Sequence, residues 1–368
     1  MPEPLLVLHT GAAYESWTPA DMEGKAVAGS EISAVRMAEE FARRGFRTVV
    51  FAPCDGAMEV YSGVEFLDVS HFPSFAEQHD IDVFIAMRYV RLLEQPMRAR
   101  RRFLWLTDVC ALGTELGADD AVRRVYGELD AIVCQSPAHV EQIVKWHAIG
   151  REKIAVIGLG VDAARFARPI DRHRHRFVFA SCPDRGLDTL IDLFPLIRRR
   201  IADAELHVFY GFELWDHRIA RSGDAEERKA RLRLEARCRQ PGVFLHGHVG
   251  QERIAEEFLR SDIWFYPTRF VETYCLTALE AQMGGAVCVC SDLGSLRTTV
   301  GDRGILLEGD AYSENYRRRA LAEVFALLED PERRCLLRDR ARQWARQQTW
   351  ELCGESWMRL FEASRPPR

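Results

Sequence analysis

Glu272 and Glu280 stand eight residues apart in the run Phe270-Val271-Glu272-Thr273-Tyr274-Cys275-Leu276-Thr277-Ala278-Leu279-Glu280-Ala281. A β-like run, Asp262-Ile263-Trp264-Phe265-Tyr266-Pro267, comes just before, and a helix-like run, Thr277 to Met283, follows. The spacing puts the first glutamate in the loop at the strand's C-terminal end and the second about one turn inside the helix. A helix that starts this way turns unpaired N–H groups and a positive dipole end toward the loop. The result is an anion site with one carboxylate at its mouth and one at its floor. A nucleoside diphosphate sugar suits that chemistry: the N–H groups meet the diphosphate, and the carboxylates accept hydrogen bonds from sugar hydroxyls. Two glutamates at this distance also arise by chance in an acidic chain, so the flanking pattern carries the reading.

That pattern is one of short apolar runs alternating with amphipathic stretches. Strands are expected at Leu5-Leu6-Val7-Leu8, Thr48-Val49-Val50-Phe51, Val83-Phe84-Ile85, Arg102 to Leu106, Ala131 to Cys134 and Ile154 to Ile157. Glu31 to Arg44 has a helical apolar stripe that stops at Gly45. After the charged interval Arg168 to Arg176 the pattern restarts. Strands are expected at Phe177 to Ala180, Glu205 to Tyr210, Val243 to Leu245, Ile263 to Phe265 and Ala286 to Val289, with a helix from Gly186 to Arg200. Pro331 to Leu337, Arg338 to Arg346 and Thr349 to Ala363 read as helices, and the tail from Ser364 reads as frayed. Two β-α-β runs around a polar break predict an α/β chain of two doubly wound domains, hinged near residues 162–176, with a cleft between them as the default ligand site.

The 368 residues suffice for two domains, and 47% of them are hydrophobic, enough for large cores. A net charge of −5 argues against a general nucleic-acid binder. No run of eighteen apolar residues predicts a transmembrane helix, and Met1-Pro2-Glu3-Pro4 lacks the basic region of a secretory signal. The ten cysteines are scattered without a Cys-x-x-Cys pair and read as reduced core residues of a cytoplasmic protein.

With these residues in hand, the chain resembles the family-four retaining glycosyltransferases of the GT-B fold over nearly its full length. The resemblance is strongest from Tyr266-Pro267-Thr268 to Leu307. There the spaced glutamates are followed by Glu280-Ala281-Gln282-Met283-Gly284-Gly285-Ala286-Val287, Ser291-Asp292-Leu293-Gly294-Ser295 and Gly304-Ile305-Leu306-Leu307. Ala28-Gly29-Ser30-Glu31 looks like the family's glycine-rich loop. Lys153 to Asp162 with Phe166 looks like its interdomain crossing, and Thr349-Trp350-Glu351 like the start of a helix that crosses back.

The resemblance implies an N-terminal acceptor domain over residues 1–165, joined by the helix 349–368, and a donor domain over 170–348. It implies that Glu280 accepts from the donor ribose and Glu272 from the transferred sugar, with the N–H groups of Tyr274, Cys275, Leu276 and Thr277 facing sugar and distal phosphate. Arg185, where the family usually has a lysine before glycine, would bind the diphosphate, and Gly29 would let backbone approach phosphate. The donor would be a UDP- or GDP-sugar, with no permanent cofactor and no metal. The acceptor would be a glycan, a lipid-linked or a small molecule, chosen by the loop Ala12 to Val27.

Three positions depart from the family. Thr107-Asp108 stands where many relatives have His-Asp, which leaves Asp108 as a weaker catalytic candidate beside Glu272 and Arg185. Ser181 stands where an arginine is common, and Cys275 where the glutamate motif usually has glycine. Plainer readings stand beside the functional ones: Arg185 as a solvated helix-start residue, Asp108 as a cap, Gly29 as a turn.

Gly158-Leu159-Gly160-Val161-Asp162-Ala163 imitates a dinucleotide fingerprint but lacks a following helical pattern. His173-Arg174-His175 and His246-Gly247-His248 lack further ligands at metal spacing. The run Arg98 to Arg102 reads as a solvated face that leaves a peripheral membrane contact open. The rival functions are a catalytically weakened nucleotide-sugar-binding protein, a nucleotide-sugar epimerase and a phosphorylase. The last lacks an evident pyridoxal-binding lysine.

Overall fold

Runs rich in valine, isoleucine and aromatic residues, apolar along their whole length, form strands that are covered on both faces. The computed structural model of the protein describes residues 3–13, 15–24, 27–113 and 120–364. Tyr14, Lys25 and Ala26 of the expected acceptor loop, and the tail beyond Ser364, lie outside the described residues. The chain divides into two units. One holds Met1–Met22, Val27–Gly160 and Trp350–Arg368; the other holds Glu23–Ala26 and Val161–Thr349.

The second unit is built on six parallel strands in the order Val243–Gly247, Glu205–Phe209, Arg176–Phe179, Ile263–Tyr266, Val287–Ser291, Ile305–Leu307. In chain order this is 3-2-1-4-5-6, the doubly wound arrangement whose order reverses between its first and fourth strands. Those two strands are Arg176–Phe179 and Ile263–Tyr266, and every residue of both is buried. Ligands of such sheets bind beyond the carboxyl ends of the strands at the reversal.

The first unit has eight strands in the order Ile154–Val156, Ala131–Cys134, Arg102–Trp105, Val83–Met87, Leu5–His9, Arg47–Ala52, Val64–Asp68, Glu59–Tyr61. All pair in parallel except the last, which closes an antiparallel edge on Val64–Asp68. Its order reverses between Leu5–His9 and Val83–Met87. The helix Trp350–Ala363 packs in this unit against the helix Gly29–Arg43. Trp357 meets Phe41 edge-on at 5.8 Å, and Arg44 Nη2 donates to the Glu351 carbonyl at 2.8 Å.

Two details differ from the sequence reading. Pro331–Ala345 is a single helix, because no glycine or proline interrupts it at Leu337. The hairpin Glu59–Tyr61/Val64–Asp68 is an extra edge that periodicity does not reveal in so short a run. The run Arg98 to Arg102 presents the solvated face expected of it: Arg98 and Arg100 are exposed, and Arg98, Arg100 and Arg102 pair with Asp80, Asp82 and Glu128. No helix of the described residues is long and apolar enough to cross a membrane. All ten cysteines are free thiols.

Candidate active site

Two loops meet at the reversal of the second unit. The first follows Arg176–Phe179 and carries Arg185 into the helix Leu187–Arg200; the second follows Ile263–Tyr266 and carries Glu272 into the helix Leu276–Gly284. Gly186 lets them touch. Its φ is +110°, and a Cβ there would lie 2.5 Å from the Pro267 carbonyl oxygen, so only glycine fits. Arg185 is thereby placed with its guanidinium carbon 3.8 Å from the centre of the Phe270 ring and Nη1 3.8 Å from Glu272 Oε1. Its side chain keeps about a third of its surface open, which leaves donors for an anion.

Glu272 is 7% exposed. The Tyr266 hydroxyl donates to its Oε1 at 2.7 Å. Burial, and next the Glu272 charge, push the Tyr266 hydroxyl far up from its ordinary range, so it stays protonated and donating. The backbone of Glu272 is held from a third loop: the Ser295 N–H donates to its carbonyl at 2.9 Å. Gly294, with φ +57°, approaches so closely that a Cβ would sit 2.6 Å from the same oxygen. The Ser291-to-Ser295 segment of the sequence motif thus fixes where Glu272 stands.

Leu276–Gly284 begins at Cys275, which adopts a left-handed conformation with φ +74°. That turn is what glycine usually supplies, so the cysteine carries strain. The Cys275 carbonyl takes the N–H groups of Ala278 and Leu279, leaving those of Cys275, Leu276 and Thr277 without intrahelical acceptors. Leu276 and Thr277 are partly exposed. Thr277 Oγ1 donates to the Ala180 carbonyl at 3.3 Å, tying the helix start to the first loop. Behind it, Thr299 Oγ1 donates to the Tyr274 carbonyl, and Gln282 Nε2 donates to the Thr299 carbonyl at 2.7 Å.

Glu280 lies inside that helix, 6% exposed. Burial drives its carboxyl pKa up from the ordinary value, and Arg165 opposes the rise. Arg165 Nη1 donates to Glu280 Oε1 at 3.1 Å, while Oε2 takes no hydrogen bond from a described residue. Both motif glutamates therefore have a guanidinium beside them: Glu272 the half-open Arg185, Glu280 the buried Arg165.

The remaining two candidates, Gly29 and Asp108, belong to the first unit. Gly29 is the exposed first residue of Gly29–Arg43, and nothing lies within 4 Å of where its Cβ would be. A side chain is thus sterically allowed there, and openness alone assigns the residue no role. Asp108 is clasped by Arg88, Nε to Oδ2 at 2.6 Å and Nη2 to Oδ1 at 3.3 Å. Arg88 follows Val83–Met87 directly with φ +69° and also reaches Glu31 at 3.4 Å. His139 Nδ1 accepts from the Gln135 N–H, so its Nε2–H donates to the Asp108 carbonyl at 2.8 Å. Burial lowers the His139 pKa to about 4, against the raising effect of that bond, so the ring is neutral at pH 7. Asp108→Asn is expected to cost about 1–3 kcal/mol, since Arg88 loses one of two carboxylates. A lower urea midpoint at unchanged slope checks this.

Arg165 and Arg88 were absent from the sequence reading. Arg165 lies between Asp162 and Phe166 of the stretch that resembles a crossing, outside the residues that carry the resemblance. Arg88 has no motif beyond following a strand.

The imitated fingerprint at Gly158 leads to the short turn Ala163–Phe166, not a long helix. Among the described residues no group of three or more histidines, cysteines and carboxylates could hold a metal. His246 instead meets His207 at 2.8 Å, beside the Arg176–Glu257 ion pair.

Residues 176–346 match the family model described as "Glycosyl transferases group 1". The chain is 27% identical over 258 residues to D-inositol 3-phosphate glycosyltransferase of Jonesia denitrificans, covering 64% of this chain and 57% of the relative. It is 26% identical over 186 residues to mannosylfructose-phosphate synthase of Agrobacterium fabrum, covering 47% and 40%. The chain thus spans about half the length of these curated relatives. Among solved structures it is similar to sucrose-phosphate synthase from Thermosynechococcus elongatus (TM-score 0.76, 16% identity, 98% of each chain). It is also similar to Anabaena HepE in complex with UDP-glucose (TM-score 0.72, 15% identity, 98% of this chain and 100% of the other). Residues 176–346 are thus similar to the group 1 glycosyl transferases, and the two Rossmann-like units have the GT-B fold.

Proposed function

We propose that the protein is a retaining glycosyltransferase. It moves a hexosyl-type sugar from a nucleoside diphosphate donor, a UDP- or GDP-sugar, to an acceptor hydroxyl without a metal. One observation carries the reading: Glu272, Arg185 and the open start of Leu276–Gly284 converge at the strand-order reversal of the second unit. In this reading the diphosphate lies against the N–H groups of residues 274–277 and the Arg185 guanidinium. These stabilise the charge that grows on the leaving nucleoside diphosphate. Glu272, held by Tyr266, accepts from a hydroxyl of the transferred sugar, and Glu280 from the ribose. No side chain is assigned as general base; the departing phosphate oxygen takes the acceptor proton on the same face. The enzyme's task is then positioning and charge stabilisation.

The second unit is the donor domain of this proposal, and the first unit, with Gly29 and Asp108, the acceptor domain. The names of the relatives contain D-inositol 3-phosphate and mannosylfructose-phosphate, so small phosphorylated polyols and sugars are the first acceptors to try. Ten free thiols favour the cytoplasm as the place of action. The rival reading, a nucleotide-sugar binder without turnover, draws on Thr107 in place of histidine and on an Asp108 carboxylate committed to Arg88.

Thermal-shift screening with UDP, GDP, ADP and dTDP, followed by turnover of the matching sugar donors to free nucleoside diphosphate, tests the proposal. Stabilisation by one nucleotide together with turnover supports transfer. Binding without turnover across donors and acceptors favours the rival, and no binding at all removes both. Glu280→Gln is expected to weaken binding of the selected nucleotide by about 1–3 kcal/mol, as for one lost charged hydrogen bond, read by calorimetric titration.

A further inference from the structure

We infer that Arg165 is the positioning residue for Glu280 and makes the segment after the Gly160–Val161 crossing a sensor of the donor ribose. This rests on the reading of Glu280 as the ribose acceptor.

The segment is fixed on both sides of the arginine. The Val161 N–H donates to the Gln348 carbonyl at 2.9 Å, the Asp162 side chain accepts from the Ala164 N–H at 3.1 Å, and Phe166 is buried. From that turn Arg165 reaches two further elements. Nη1 binds Glu280 on Leu276–Gly284, and Nη2 binds the Gln251 carbonyl at the start of Gln251–Arg260. Nε lies 4.0 Å from Glu252, and the guanidinium carbon lies 5.7 Å from the centre of the Phe166 ring. Arg165 is itself buried, so its fork is held by neighbours and does not sweep through solvent.

A buried carboxylate without a cation would take up a proton or move toward water. Here one oxygen is anchored and the other is left to accept. An anchored Oε1 fixes the plane of the carboxylate, and a fixed plane is what recognition of a vicinal diol needs. A purely structural ion pair would stabilise the fold without regard to the ligand's hydroxyls. Discrimination between a ribose and its dideoxy counterpart therefore separates the two roles.

The experiment measures, by calorimetric titration, the affinities of UDP, GDP and their 2′,3′-dideoxy analogues for the wild type, Arg165→Gln, Arg165→Lys, Glu280→Gln and the Arg165→Gln/Glu280→Gln double variant. Thermal melts serve as the fold check. The wild type is expected to prefer the ribonucleotide at least about tenfold. Arg165→Gln should lose most of that preference while binding the dideoxy analogue as the wild type does. The double variant should be no worse than Glu280→Gln alone, the sign of one coupled unit. Arg165→Lys keeps the charge but not the fork, should lose part of the preference, and decides the matter if Arg165→Gln does not fold.

Wild-type preference retained by the folded Arg165 variants, while Glu280→Gln loses it, overturns the inference and leaves the proposed function standing. Preference retained by Glu280→Gln overturns both the inference and the ribose reading. A wild type that binds neither nucleotide overturns the inference together with the UDP- or GDP-sugar donor assignment.

Discussion

Glu272→Gln is expected to lower sugar transfer by about 10²–10³ while leaving affinity for the free nucleoside diphosphate within about twofold. The carboxylate stands at the end of Ile263–Tyr266 with its Oε1 on the Tyr266 hydroxyl and Arg185 beside it. The amide keeps an oxygen for Tyr266 but removes the charge that polarises a sugar hydroxyl. A free nucleoside diphosphate carries no sugar at that position, so its binding hardly registers the change. The contrast with Glu280→Gln is the useful part: one variant should fail in turnover, the other in nucleotide affinity. Equal losses of affinity in both would mean that the two carboxylates do not divide the donor as assigned, and the Glu272 role would have to be abandoned.

What the amino-acid order disclosed and what it withheld follow from range. The buried parallel strands were legible because each is a short apolar run that stands alone: Ala131–Cys134 was read with its observed bounds, and Ile263–Tyr266 within two residues. The glutamate loop was legible because a strand, an open helix start and two carboxylates are neighbours in sequence. The partners of those carboxylates were not. Arg165 is 115 residues from Glu280, and in the other unit the pairing of Arg88 with Glu31 spans 57. An ion pair has no period and leaves no trace in either run alone. Gly294 is similar: its contact with the Glu272 backbone depends on the folded sheet bringing a third loop alongside. Arg185 was visible only through the glycine that follows it, and its stacking on Phe270 shows how a single arginine is held where Ser181 offers no second cation.

Gly186→Ala is expected to be the most damaging small substitution in the second unit. A φ of +110° lies outside the conformations an alanine adopts without strain, worth about 1–3 kcal/mol. The added Cβ would also fall 2.5 Å from the Pro267 oxygen and 3.0 Å from the Thr268 Cα, both backbone atoms that cannot rotate aside. Relief requires the two loops to part. That lifts the start of Leu187–Arg200, whose Leu187, Leu190 and Phe194 are buried in the core, and draws Arg185 away from Glu272. A total cost of about 2–4 kcal/mol corresponds to a fall of several degrees in the melting midpoint. Affinity for a nucleoside diphosphate should drop by about tenfold, while that for the nucleoside lacking phosphates changes little. The pairing of the two readouts matters, because a variant that merely melts earlier would bind both ligands normally at low temperature. A Gly186→Ala protein with wild-type melting and wild-type diphosphate affinity would show that the two loops are not locked together there. It would also show that Arg185 is not held in place for the phosphate.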